Sequence, residues 1–218
     1  NLVPDSQAER EEKEDATKGK PDPQAVPPPA NKVPAALLNL GEVDAFSPYA
    51  LVVDKSTRTL TVWKYDGTIP SLVASYPTDL GREAGDKTSS GDRKTPEGIY
   101  FFQSRIEGAQ LDFNEYGSRA FTMNYPNYFD SVGHKTGSGI WLHSIPETKS
   151  LIRGSRGCVV VRNEVIQKVS DYVTLKKTPI IILSTATYLT AEEFAAQKTA
   201  LLTWVERWRK SWEALHSR

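Results

Sequence analysis

Between about residues 49 and 184 the chain is a succession of short runs rich in Val, Ile, Leu and aromatic residues, each bounded by Gly, Pro, Asp or Ser. Runs this short, enriched in β-branched residues and punctuated by turn formers, predict strands rather than helices. They fall at 50–54, 59–65, 71–76, 99–102, 120–124, 140–143, 158–161 and 179–183. The second alternates with period two through Leu60, Val62 and Lys64, and Asp66-Gly67 behind it is a tight-turn pair. The first three runs therefore predict an antiparallel meander with one half-buried face. Helical signals are few. Asn163 is a candidate N-cap, with Val165, Ile166, Val169, Tyr172 and Val173 following at helical spacing. Thr190 and Glu193 have capping-box spacing ahead of a long helix. Its apolar stripe is Phe194, Leu201, Val205, Trp208, Trp212 and Leu215, widened by Trp204. The expected fold is mainly β, a sandwich or barrel-like domain with one or two helices, followed by a C-terminal helix.

The flanks read differently. Residues 1–35 hold seven of the fourteen prolines and a charged run from Glu9 to Asp15. Proline lacks the N–H donor and fixes φ, so the stretch 21–29 predicts an extended tether or spacer outside the core. A short helical segment is expected near 33–40. The expected division is a leader over 1–48, a folded domain over 49–186, and a separate helix over 187–218. Three tryptophans on that helix need a cover, so it is expected either to pack back on the domain or to open a second one. Residues 104–119, polar and glycine-containing, predict an insertion or lid. The aromatic loop 125–129 reads as packing before it reads as a ligand platform.

Formal net charge is zero, with 27 basic and 27 acidic residues. That argues against nucleic acid or an anionic membrane as a general electrostatic partner. No apolar run is long enough to span a bilayer. A single cysteine excludes an intramolecular disulfide framework and a thiolate cluster. With only His134, His143 and His216, and no His-Glu-x-x-His pattern, a zinc site is poorly supported.

That single cysteine, Cys158, closes Ser155-Arg156-Gly157-Cys158 and opens a valine-rich strand. His143 ends another strand fifteen positions earlier. A lone cysteine among valines is ordinarily a small buried hydrophobe, and a histidine beside Trp141 and Leu142 is ordinarily a satisfied core residue. The joint pattern favours chemistry. A thiolate stabilised by imidazole is a nucleophile for acyl transfer. Glycine before it permits a turn and close backbone approach. The N–H groups of Gly157 and Cys158 are candidate oxyanion donors. Arg156 adds positive charge.

These residues resemble the signature of the L,D-transpeptidase (YkuD-type) catalytic domain of bacterial cell-wall enzymes. That signature is a histidine, a gap, then Ser/Thr-His-Gly-Cys. Thr95-Pro96-Glu97-Gly98 matches the family's Thr-Pro-x-Gly element, and the hairpin of residues 51–54 and 60–63 matches the usual start of the domain. The resemblance covers about residues 49–184. It implies that Cys158 attacks the carbonyl between the third residue and the terminal D-alanine of a peptidoglycan stem peptide. His143 would be the base, and the Ser144 backbone carbonyl would orient it. Ser155 and Arg156 would line the substrate pocket, with Tyr125 or His134 on a lid. An amine acceptor gives a crosslink and water gives an L,D-carboxypeptidase. No cofactor or metal is implied, and the substrate implies a location in the periplasm or cell envelope. Two departures resemble the branch that includes the trimming enzymes: Arg156 replaces the second histidine, and Val160 replaces the usual arginine. In that branch a SnoaL-like domain opening with a tryptophan-rich helix often follows. Two rivals remain. A sortase-like transpeptidase would want a Thr-Leu-x-Thr-Cys motif, which is missing; a non-catalytic wall-binding module would not need both Cys158 and His143.

Overall fold

The β-branched runs pair into one long sheet that curls until its ends meet. A computed structural model describes residues 21–38, 40, 46–152 and 154–216. The charged run 9–15 lies outside them. The strands are β1 (Lys32–Pro34), β2 (Tyr49–Asp54), β3 (Thr59–Lys64), β4 (Ser71–Pro77), β5 (Gly98–Glu107), β6 (Arg119–Met123), β7 (Trp141–Ile145), β8 (Val159–Arg162), β9 (Pro179–Leu183) and β10 (Tyr188–Thr190). Eight of them form a sheet in the order β4-β3-β2-β9-β5-β6-β7-β8. The predicted meander is β2-β3-β4, antiparallel throughout. Just beyond β4, Asp79 exchanges two 2.8 Å backbone hydrogen bonds with Val160 of β8. That bridge nearly closes the sheet into a barrel, as the mainly β expectation required.

The helices are α1 (Phe113–Tyr116), α2 (Tyr128–Val132), α3 (Asn163–Ser170) and α4 (Ala191–His216). Two details differ from the sequence reading and one agrees with it. The strand expected at 99–102 extends to Glu107, and the expected insertion behind it contains α1. The cap of α3 is Arg162; Asn163 begins the helix, and its Oδ1 accepts instead from the Ser118 N–H at 2.9 Å. The capping box of α4 forms as expected, Thr190 N–H to Glu193 Oε2 at 2.8 Å and Glu193 N–H to Thr190 Oγ1 at 3.2 Å.

Alternation divides each central strand between two cores. Leu51, Val53, Leu60, Val62, Ile180 and Ile182 face the barrel interior with Tyr100, Phe102, Phe121, Leu142, Val159 and Val161. Ala50, Val52, Trp63 and Ile181 face the other way. Left bare, that second face would expose a tryptophan and a row of aliphatics. It is covered by segments from the two flanks of the expected domain. β1 pairs antiparallel with β10, and Val33, Leu37, Leu40, Leu189 and Phe194 bury there. Val33, Leu37 and Leu40 are thus core rather than leader, with a 3-10 turn at Ala35–Leu37 in place of the expected helix. The chain past residue 186 likewise joins the domain through β10 and the first turn of α4. Beyond that turn the stripe from Leu201 to Leu215 is exposed.

Candidate active site

β7 and β8 run parallel and adjacent, with His143 opposite Val160 and Ile145 opposite Arg162. On β8, Val159 and Val161 point into the barrel. Cys158, Val160 and Arg162 therefore share the outer face, and His143 and Ile145 share it on β7. Parallel register thus sets the only thiol beside the buried histidine, although fifteen residues separate them. Cys158 is half-buried against a small cluster of Ile145, Leu151 and Val160, and its Sγ lies 3.6 Å from the Gly139 carbonyl.

His143 Nδ1 is 2.8 Å from the Ser144 carbonyl oxygen. A carbonyl can only accept, so Nδ1 is the donor in that bond. The family resemblance implied an orienting role for this carbonyl. The edge of His143 meets the Tyr116 ring, centroids 5.2 Å apart. Tyr116 also stacks at a tilt on Trp141 at 5.1 Å. α1 is held over the site by a close approach at its end. Gly117 adopts φ +63, and a Cβ there would fall 2.4 Å from Ser144 Oγ and 2.6 Å from Asn163 Oδ1.

The loop before Cys158 is built by hydrogen bonds. Ser155 Oγ donates to the Cys158 carbonyl at 2.6 Å and accepts from the Gly157 N–H at 3.0 Å. The expected oxyanion donor at Gly157 is therefore engaged inside the loop. Gly157 is needed for its conformation: φ is +131, and a Cβ would lie 2.7 Å from the Lys94 carbonyl oxygen. Asp79, fully buried, accepts from the N–H groups of Leu80 and Gly154 at 2.9 Å each and pairs with Arg58. It thereby ties the loop to the seam of the barrel.

Cys158 and His143 open on one cavity of about 290 Å³. Ser155 and Arg156 line it. So do Arg82, Lys87, Glu115 and Tyr116, which no motif announced. Tyr116 falls within residues 104–119, the stretch read as an insertion or lid. The local signal for it is Asp112, which caps α1 by accepting from the Asn114 N–H. Arg156 Nη2 donates to Tyr116 Oη at 3.4 Å, joining two walls of the cavity. Lys87 is buried and donates to Asp92 Oδ1 at 2.7 Å and to the Ser89 carbonyl at 3.0 Å.

Tyr125 and His134 are not among the lining residues. Tyr125 stands behind a wall, its phenol donating to the Thr136 carbonyl at 3.1 Å next to the lining residue Gly137. Burial, aided by the nearby Asp130 carboxylate, pushes that phenol up to about 12, so it remains a donor. His134 is exposed beyond α2 with φ +56. Among the described residues no group of three His, Cys, Asp or Glu side chains is arranged to hold a metal ion.

The L,D-transpeptidase catalytic domain model matches residues 48–182, and the chain belongs to that family. Among solved structures, Bd1075 of Bdellovibrio bacteriovorus superposes with a TM-score of 0.75 at 47% identity, covering 84% of this chain and 64% of that one. The helical cell shape determining protein Pgp2 from Campylobacter jejuni superposes at 0.60 with 24% identity, over 91% of this chain and 64% of that one, a likeness of fold. The chain spans less than two thirds of either solved chain. No curated protein was found to match.

Proposed function

We propose that this chain is a cysteine acyltransferase of peptidoglycan stem peptides. The observation that carries the reading is His143, its Nδ1 proton committed to the Ser144 carbonyl, opening on the same cavity as Cys158. Nε2 takes the thiol proton and the thiolate attacks the carbonyl carbon that links the third stem residue to D-alanine. The carbonyl π electrons move to oxygen, and the backbone N–H of Cys158 is the donor nearest that oxyanion. Collapse expels D-alanine, whose amine takes the proton from His143, and leaves a thioester. An acceptor amine, deprotonated by the same Nε2, resolves the thioester into a crosslink. The cavity's Arg82 and Arg156 suit a substrate bearing carboxylates.

A second reading, with water as acceptor, is favoured by Arg156. It stands where the family motif has histidine, and its bond to Tyr116 narrows the cavity beside His143. Location outside the cytoplasmic membrane follows from either substrate. No described helix is long and apolar enough to cross a membrane. The fold shared with Pgp2 supports a bearing on cell shape.

Digestion of purified sacculi followed by muropeptide analysis tests both readings. New 3–3 dimers are expected for the transferase and new tripeptides for the carboxypeptidase. Cys158→Ala is expected to abolish either product with the fold intact, and full activity in that variant would refute the nucleophile. Intact-mass analysis is expected to show one carbapenem adduct on the wild type and none on Cys158→Ala.

A further inference from the structure

The proline-rich stretch 21–30 does not hang free of the domain. Asp22 meets Arg162 with both carboxylate oxygens: Arg162 Nε donates to Oδ2 at 2.5 Å, and Nη2 donates to Oδ1. Four residues later the Val26 N–H donates to Thr59 Oγ1 of β3 at 3.0 Å. Prolines at 21, 23, 27, 28 and 29 suit such a path, because a preset φ leaves less chain entropy to lose on docking.

Arg162 is no ordinary surface partner. It lies on the outer face of β8 two residues past Val160 and four past Cys158, and is only 9% exposed. Its Nη1 donates to the carbonyls of Pro146 at 3.0 Å and Lys149 at 2.7 Å. Both belong to the loop that leaves the His143 strand and returns as Ser155. That loop drops Leu151, fully buried, onto Ile145 and Val160 beneath Cys158. The guanidinium therefore gathers the segment joining the two catalytic strands. Among the described residues its other acidic neighbour is Glu147, at 3.5 Å with a side chain 63% exposed. A buried guanidinium deprived of its close carboxylate is costly and shifts to find water or another anion.

We propose that Asp22 is a positioning residue of the active site, and that residues 21–26 are a strap bracing the loop between His143 and Cys158. Its effect on turnover rests on the acyl-transfer reading above; its effect on the loop does not. Scission of the chain between Asp22 and Val33 would release the brace while leaving every cavity-lining residue in place.

The test uses the full chain carrying Asp22→Asn, with Asp22→Glu as the conservative variant and Gln24→Ala as a strap control. Three quantities are measured: amide hydrogen exchange over residues 146–155, the alkylation rate of Cys158 by iodoacetamide, and muropeptide turnover. Asp22→Asn is expected to raise exchange in that loop and to change the alkylation rate several-fold. Turnover is expected to fall on the order of tenfold in kcat with KM little changed, as for a slightly misplaced nucleophile. Asp22→Glu should recover most of each, and Gln24→Ala should match the wild type. Wild-type exchange and alkylation in Asp22→Asn overturn the strap, even if turnover falls. A wild-type protein inert on sacculi would refute the acyl-transfer reading, and exchange and alkylation would still decide the strap.

Discussion

At the scale of single residues the site depends on backbone that few side chains tolerate. Gly157 combines φ +131 with a Cβ position 2.7 Å from the Lys94 carbonyl, a backbone atom that cannot swing aside. Gly157→Ala is expected to cost about 2 kcal/mol through strain, and to reduce turnover more than the fall in melting temperature explains. Thermal melts paired with muropeptide assays check this; an alanine variant with wild-type values for both would show that the turn relaxes freely. Ser155 satisfies two backbone groups with one hydroxyl, so its role is to shape the loop as much as to line the cavity. Arg156 is the residue on which the proposed choice between the two acceptors turns. Arg156→His restores the family motif and removes the bond to Tyr116. It is expected to raise the ratio of 3–3 dimers to tripeptides in sacculus digests. An unchanged ratio would mean that Arg156 does not govern the acceptor.

At the scale of elements, the strands on either side of the site have different jobs. β7 and β8 place the reactive pair, whereas β2, β3 and β9 are sandwiched between the barrel interior and a second core. That second core exists because β1, β10 and the start of α4 cover Trp63, Val52 and Ile181. Leu37, buried at its centre, tests the arrangement. Leu37→Ala is expected to destabilise the protein by about 3 kcal/mol, the usual cost of a core leucine truncation. Turnover per folded molecule should be retained, because the site lies on β7 and β8. Denaturant melts and activity at low temperature separate the two effects. A loss below about 0.5 kcal/mol would show that residues 33–40 do not belong to the core.

At the scale of the whole molecule, closure of the sheet and the walls of the cavity depend on charges from distant parts of the chain. Lys87 and Asp92 are a local pair, five residues apart, but the loop they hold lies against distant Gly137 on the opposite wall. Burial alone would push the Asp92 carboxyl up. Hydrogen bonds from Lys87 and from the N–H groups of Ser89, Thr88 and Lys94 outweigh it and hold the carboxyl at about 2, below its ordinary 3.8. The native state therefore prefers the ionised form. The stability this supplies is complete above the unfolded value of 3.8 and is lost as pH falls toward 2. Asp92→Asn is expected to lower stability at pH 7 by roughly 1 kcal/mol after allowance for solvent screening, with a smaller difference from wild type near pH 2.5. Melts across that range check it; a gap that widens on acidification would reverse the sign argued here.

The sequence by itself determined the eight main strands, the meander and the long capped helix, and it put His143 and Cys158 at the ends of two strands. Each is written in a local pattern: alternation, turn residues, a capping box, or one reactive type at a family spacing. Ser144 was legible for the same reason, since its carbonyl is carried by the residue next to His143. Only the tertiary structure decided that Val33, Leu37 and Leu40 are core, that Asp22 reaches Arg162 across 140 positions, and that Arg82, Lys87 and Tyr116 line the cavity while Tyr125 and His134 do not. None of these has a period or a motif. They follow from which strand faces were left bare and which charges were left buried once the sheet had closed, and chain order does not encode that until distant segments meet.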